Sequence, residues 1–437
     1  MAHQAHSIPW QTLADNLKFM HCNPSYYGIT NLYARKKPNQ DKELQYFANG
    51  FARALTNYSA IERKKYTSSF APPDPNERVI YKAAVTRMSA TVLRYKEGDI
   101  DQPDSSAPSS EALSEYECTA RRFIFDTYPC EGDMNHSLSE CCEQTKALIL
   151  YGELDALFQL AAHPDIHFHR LWDEDIYANS AGFGLRKLMD AMLQAYLCLN
   201  VLAVKPELWD AESRSAYLKA EKSAHRTTWE CSLYDYRLTA AYQRMVVCCT
   251  GIPYGAYYHE AHTYPHREFL GVPRGMFRSN DPYQGQKTGK PGTGRVLDLA
   301  EGAFRNVHLA SKEDVEAVIA VLKRKGLPTE LALQVLECAE YKSAGRLRRR
   351  DDPLHAENAE ELKKYLRFCW KVLVRIDMLV RECGKTLDWG SEVSDAMCFL
   401  FELGKNGRRR GGYQQRKMCD WTEFGRRSET IEFVSQR

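Results

Sequence analysis

Two clusters of histidine carry the residue types from which a reactive site could be built. His163, His167 and His169 stand with Asp173 and Asp175 inside thirteen residues, and imidazole with carboxylate is the donor set of a zinc, iron or manganese site. Pro164 interrupts the helix that would set His163 and His167 one turn apart. The spacing therefore predicts a polar turn between helices, with these three histidines as the metal-ligand candidates. The second cluster is His259-Glu260-Ala261-His262, followed by His266. A zincin places two histidines four apart on a helix with a glutamate between them; His259 and His262 are three apart, in a stretch rich in glycine and proline. That predicts loop histidines bonded to backbone. His259, Glu260 and His262 are still the catalytic candidates of an enzyme reading, because the loop joins titratable groups to aromatic rings and hinge glycines.

Other chemistries fail on spacing. Gly285 to Lys290 is one residue short of a phosphate loop, and Pro291 stands where the magnesium-holding hydroxyl would be. Asp173 and Asp175, and likewise Asp351 and Asp352, lack the carboxylate four residues on that a magnesium-binding helix face requires; Tyr177 and His355 occupy those places. The chain has 14 cysteines but no Cys-x-x-Cys, which removes zinc ribbons and thioredoxin-like sites. Most cysteines lie in apolar helical patterns and read as reduced intracellular thiols. No cofactor is implied.

The elements that must position these groups are helical. Ser311-Lys-Glu-Asp314 is a capping box, followed by Val315, Val318, Ile319 and Leu322 and a stop at Gly326. Leu327-Pro328-Thr329-Glu330 opens a second helix with Leu331, Val335, Cys338 and Ala339 along one side. A third opens with the capping arrangement Asn358-Ala-Glu-Glu361 and carries Leu362, Leu366, Cys369, Leu373, Ile376 and Val380, a seam alternating four and three. Earlier in the chain, Leu44, Phe47, Phe51, Leu55 and Tyr58 mark an amphipathic helix within 41–65. Trp10, Leu13, Leu17 and Phe19 or Met20 predict a short helix. Gly152 predicts a kink or a division in the helix around it. The most apolar window, Leu188 to Val204, is interrupted by Asp190, Gln194 and Asn200 and reads as a central buried helix, short of the roughly 20 clean residues of a membrane span.

The sequence thus predicts an all-α fold, an irregular multi-helix bundle in two lobes. Its expected divisions are an N-terminal helical segment (1–97), a Pro/Ser-rich linker or loop (98–110), a central bundle (111–250), an aromatic Gly/Pro-rich strap (251–295), a C-terminal helical domain (296–404) and a basic tail (405–437). With 59 basic and 57 acidic residues the net charge is +2, so any nucleic-acid role needs local charge. The tail supplies some: Arg408, Arg409, Arg410, Arg416 and Lys417 fit a nuclear import signal or a nucleic-acid contact. No signal peptide opens the chain, and a soluble protein of the cytoplasm or nucleus is expected.

Leu327-Pro328-Thr329-Glu330-Leu331 with Val335-Leu336, and then Cys369-Trp370-Lys371-Val372-Leu373, resemble the start and end of an F-box. The resemblance covers about a tenth of the chain, with a longer gap than is usual and a charged insertion between the two ends. It implies that Leu327, Pro328, Leu331 and Val335 dock on a Skp1-type adaptor. The leading expectation is a protein-interaction or adaptor module. The alternatives are a helical enzyme using the His259/His262 loop, and a nuclear nucleic-acid-associated protein acting through the tail.

Overall fold

The computed structural model describes residues 8–21, 32–36, 41–71, 145–162, 185–220, 235–251, 261–272, 310, 312–339, 341, 343, 345–349 and 352–401. They are predominantly helical, as the apolar periodicities predict. In chain order the helices are α1 (Trp10–Asp15), α2 (Asp41–Arg63), α3 (residues 145–151), α4 (Leu154–Ala161), α5 (Leu185–Ala203), α6 (Ala211–Ala220), α7 (Ala240–Thr250), α8 (Tyr264–Leu270), α9 (Lys312–Arg324), α10 (Thr329–Cys338), α11 (Ala359–Glu382) and α12 (Trp389–Phe401).

The centre is α5. Every residue from Leu188 to Leu202 is buried, as expected of a helix that is apolar on all sides. Around it pack α1, α7, α11 and α12, while α2 lies against α1, α11 and α12. The predicted seams of α2 and α11 both face inward: Phe47, Phe51 and Leu55 from the first, Leu366, Cys369, Leu373 and Ile376 from the second. Aromatic rings lock this junction, with Tyr196 of α5 within 5.4 Å of Trp370 and 5.6 Å of Trp10. Ion pairs tie its rim, Arg186 to Glu392 at 2.9 Å and Arg63 to Glu382 at 2.5 Å. Described helices from either side of the expected strap, α2, α5 and α7 before it and α11 and α12 after it, therefore share one apolar core, to which the described residues of α9 and α10 do not contribute.

Three local expectations are corrected. The helix read through Leu17 and Phe19 ends at Asp15, and Leu17–His21 forms a strand, β1, paired antiparallel with β2 (Leu32–Lys36). Leu17 and Phe19 are both buried there, an alternation that a strand satisfies as well as a helix does. The strap contains α8, which has a proline in its first turn and ends at left-handed Gly271 (φ 70°). Asn358 does not cap α11 with its side chain. The row Leu331, Val335, Cys338 and Ala339 on and just beyond α10 faces solvent, while Ala332 and Leu336, one step round, are buried.

Gly152 divides its helix as predicted, with φ at 81°. The linker 98–110 lies outside the described residues, and among those described no helix is long and apolar enough to cross a membrane.

Candidate functional site

His259, Glu260, His163, His167 and His169 lie outside the described residues, as do Asp173, Asp175 and the tail residues Arg408, Arg409, Arg410, Arg416 and Lys417. Of the catalytic candidates His262 alone is described, and the fold gives it a partner that the sequence reading treated as loop. The turn Ala261–Thr263 runs directly into α8. His262 and His266 are therefore four residues apart along one helical stretch and share a face. The signal for this was present: Pro265 at the start and Gly271 after the end mark a helix by the usual asymmetry of its termini.

The turn and α8 are held from three sides. Both pack on α7, the turn also packs on α5, and Phe269 stacks flat on Tyr365 of α11 at 3.8 Å. Near the end of α8 the Arg267 carbonyl accepts from both Gly271 N and Val272 N. Arg346 N donates to Glu268 O at 3.0 Å, and its guanidinium reaches the Glu268 carboxylate at 2.9 Å.

His266 is fully buried, with Nδ1 hydrogen-bonded to the Tyr365 hydroxyl. Its Nε2 has no hydrogen-bond partner among the described residues, and the same holds for Nδ1 of His262, which is 5% exposed. Leaving a buried polar atom unpaired costs about 1–3 kcal/mol. Burial drives the His266 pKa down to about 3. For His262 burial again dominates, and Lys146, Lys187, His266 and Arg267 push in the same direction. Both rings are neutral at physiological pH. Lys146 and Arg267 are themselves buried, and Arg267 Nε donates to Thr263 Oγ1 at 3.0 Å. Asp190, also buried, stands three residues after Lys187 on α5 and acts with it on the Cys248 thiol.

Burial, then the Cys369 and Cys249 thiols, raises the Tyr365 hydroxyl well above its usual range. Burial likewise raises the thiols of Cys198, Cys249 and Cys369 and pushes Cys248 to about 12. These sulfurs are inert packing groups, as the sequence predicts. No three His, Cys, Asp or Glu residues among those described are placed to hold a metal. Asp352, from one of the acidic pairs, accepts from the Tyr236 hydroxyl at 2.6 Å and anchors a loop.

A second candidate surface is the hairpin of α9 and α10. The two helices pack chiefly on each other, and α9 buries none of its residues. Gly326 (φ 92°) closes α9, its N–H reaching Lys323 O while Leu327 N reaches Leu322 O. Of the predicted docking residues, Leu327 is half-buried and Pro328 exposed, while Leu331 is 49% and Val335 44% exposed. Leu333 (52%) and Val321 (44%) add to the apolar surface of the hairpin. Trp370, at the other end of the F-box resemblance, is buried against Phe51, Tyr58 and Tyr196.

No curated protein and no solved structure matches the chain. A family model described as "GRA5: Gramillins biosynthetic cluster protein GRA5" matches residues 11–417.

Proposed function

The chain belongs to the family of gramillins biosynthetic cluster protein GRA5, and on that premise we propose that it serves a biosynthetic cluster as a protein-binding module. In this reading the α9–α10 hairpin is the binding element and its partner is an amphipathic helix of another protein of the cluster. The supporting observation is the row Leu331, Val335 and Cys338, spaced four and three on α10 and exposed along its length. Such a row is one half of a helix–helix contact. At the adjoining end of α9, Lys323, Arg324 and Lys325 are all exposed, so the matching helix carries acidic residues at that end. An F-box-like use of the same row, with a Skp1-type adaptor as the partner, is the narrower form of this proposal.

The test pairs the wild-type protein and a Leu331→Glu/Val335→Glu variant with each purified protein of its cluster, and with a Skp1-type adaptor, in size-exclusion chromatography. Because both side chains are exposed, the variant is expected to keep its melting temperature and to lose co-elution. A complex that survives both substitutions overturns the reading. So does a wild-type protein that co-elutes with none of these proteins.

A further inference from the structure

The interior cluster around His262 is independent of the hairpin and has its own chemistry. Two histidines one helical turn apart each present a buried ring nitrogen without a hydrogen-bond partner among the described residues, Nδ1 of His262 and Nε2 of His266. Among the described residues, the charged side chains that act on the His262 ring are all cationic. Lys146 comes from α3, Lys187 from α5 and Arg267 from α8, each near enough to act electrostatically on the His262 ring. Asp190, buried on α5 three residues after Lys187, is a described carboxylate near this group, acting with Lys187 on the Cys248 thiol. From α7, which also packs on this turn, come Tyr242 and the thiols of Cys248 and Cys249; burial keeps both thiols protonated and uncharged.

A positive field of this kind, in a region of low dielectric, opposes a divalent cation on the two imidazoles and favours a negative group. We propose that the His262–His266 face is an interior anion site that takes one carboxylate or phosphate group, with Lys146, Lys187 and Arg267 supplying the charge and the His262 ring a hydrogen bond. The cations keep the interactions they already make, and the anion joins these as a further acceptor.

The arrangement couples binding to a proton. In the free protein, burial and the surrounding cations hold His262 neutral. An anion placed beside the ring offsets that field and favours the imidazolium, so the ring takes a proton from the medium as the anion binds.

The experiment is isothermal titration calorimetry of the full-length protein near neutral pH with two probes, inorganic phosphate and acetate. Each is titrated in two buffers of different ionisation enthalpy, which reveals protons taken up. Saturable binding with net proton uptake is expected. Phosphate alone giving it points to a phosphate-bearing ligand, and acetate to a carboxylate. His262→Gln keeps a hydrogen-bonding side chain but has no titrating ring, so proton uptake should disappear and affinity fall about tenfold. Lys187→Met, at a half-buried position, should weaken binding comparably without abolishing the uptake, and it decides the matter if His262→Gln fails to fold. Absence of saturable heat with either anion overturns the proposal, as does binding unchanged in Lys187→Met. Stoichiometric zinc binding that His262→Gln removes would make this a cation site and overturn it too.

Discussion

The guanidinium of Arg375 lies against Gly152, donating from Nη1 to Ile149 O at 2.8 Å and Leu150 O at 2.7 Å. A side chain of α11 thereby completes the C-terminal cap of α3, where Ile149 O also accepts from Gly152 N at 3.2 Å. The left-handed glycine leaves the room: a Cβ on Gly152 would come 2.5 Å from Arg375 Nη2. Burial alone would lower the Arg375 pKa, and Tyr66, Glu62 and Glu153 offset part of that.

Gly152→Ala therefore meets two obstacles, positive φ and displacement of the guanidinium, and should cost about 2–3 kcal/mol. Arg375→Met, which keeps the aliphatic stem and strips two charge-assisted bonds, should cost about as much. Urea unfolding of the two single variants and the double variant checks both. Because each acts by removing the same cap, the double variant should cost clearly less than their sum.

Asn358 is a second such joint. Its Oδ1 accepts from Arg348 N at 2.7 Å and Arg349 N at 3.1 Å, while Nδ2 donates to Arg349 O and Asp352 O, both at 2.7 Å. The residue is fully buried, so Asn358→Ala orphans four backbone groups. A loss of about 3 kcal/mol is expected by thermal or urea unfolding. Asn358→Asp keeps the two accepted bonds and sets a carboxylate against two carbonyls, so it should do no better.

Acid should weaken the fold through the buried histidines. With a folded pKa of about 3 against an ordinary 6.5, His266 binds no proton in the folded state at pH values where the unfolded chain does. Its contribution is complete above pH 6.5 and is lost as pH falls from there toward 3, at about 1.4 kcal/mol per pH unit. His262, also lowered by burial, adds to the slope. Denaturant titrations across that window should show the decline, and His266→Gln should flatten it.

The thiols should divide by burial. Cys338 is exposed, whereas Cys198, Cys249 and Cys369 are buried, with thiols raised by desolvation. Brief maleimide treatment of the native protein, followed by peptide mass mapping, should label Cys338 and spare the other three. Treatment in denaturant should label all four.

The amino-acid sequence alone determined the helices that bury a full face. The seams of α2 and α11 follow from periodicity, because a helix repeats every 3.6 residues whatever surrounds it, and the buried α5 follows from its largely apolar composition. Gly152 and Gly326 were legible as helix ends for an equally local reason, their freedom to take positive φ. Tertiary structure decided what faces what. Leu331 and Val335 were legible as one side of α10, and only the fold leaves that side in solvent, because periodicity gives the face of a helix but not whether anything covers it. Leu17 and Phe19 fit both a short helix and a strand, and pairing with Leu32–Lys36 settled the choice. The grouping of Lys146, Lys187, His262 and Arg267, from three separate stretches of chain, has no sequence signal at all, since electrostatic proximity of this kind exists only once α3, α5 and α8 have packed.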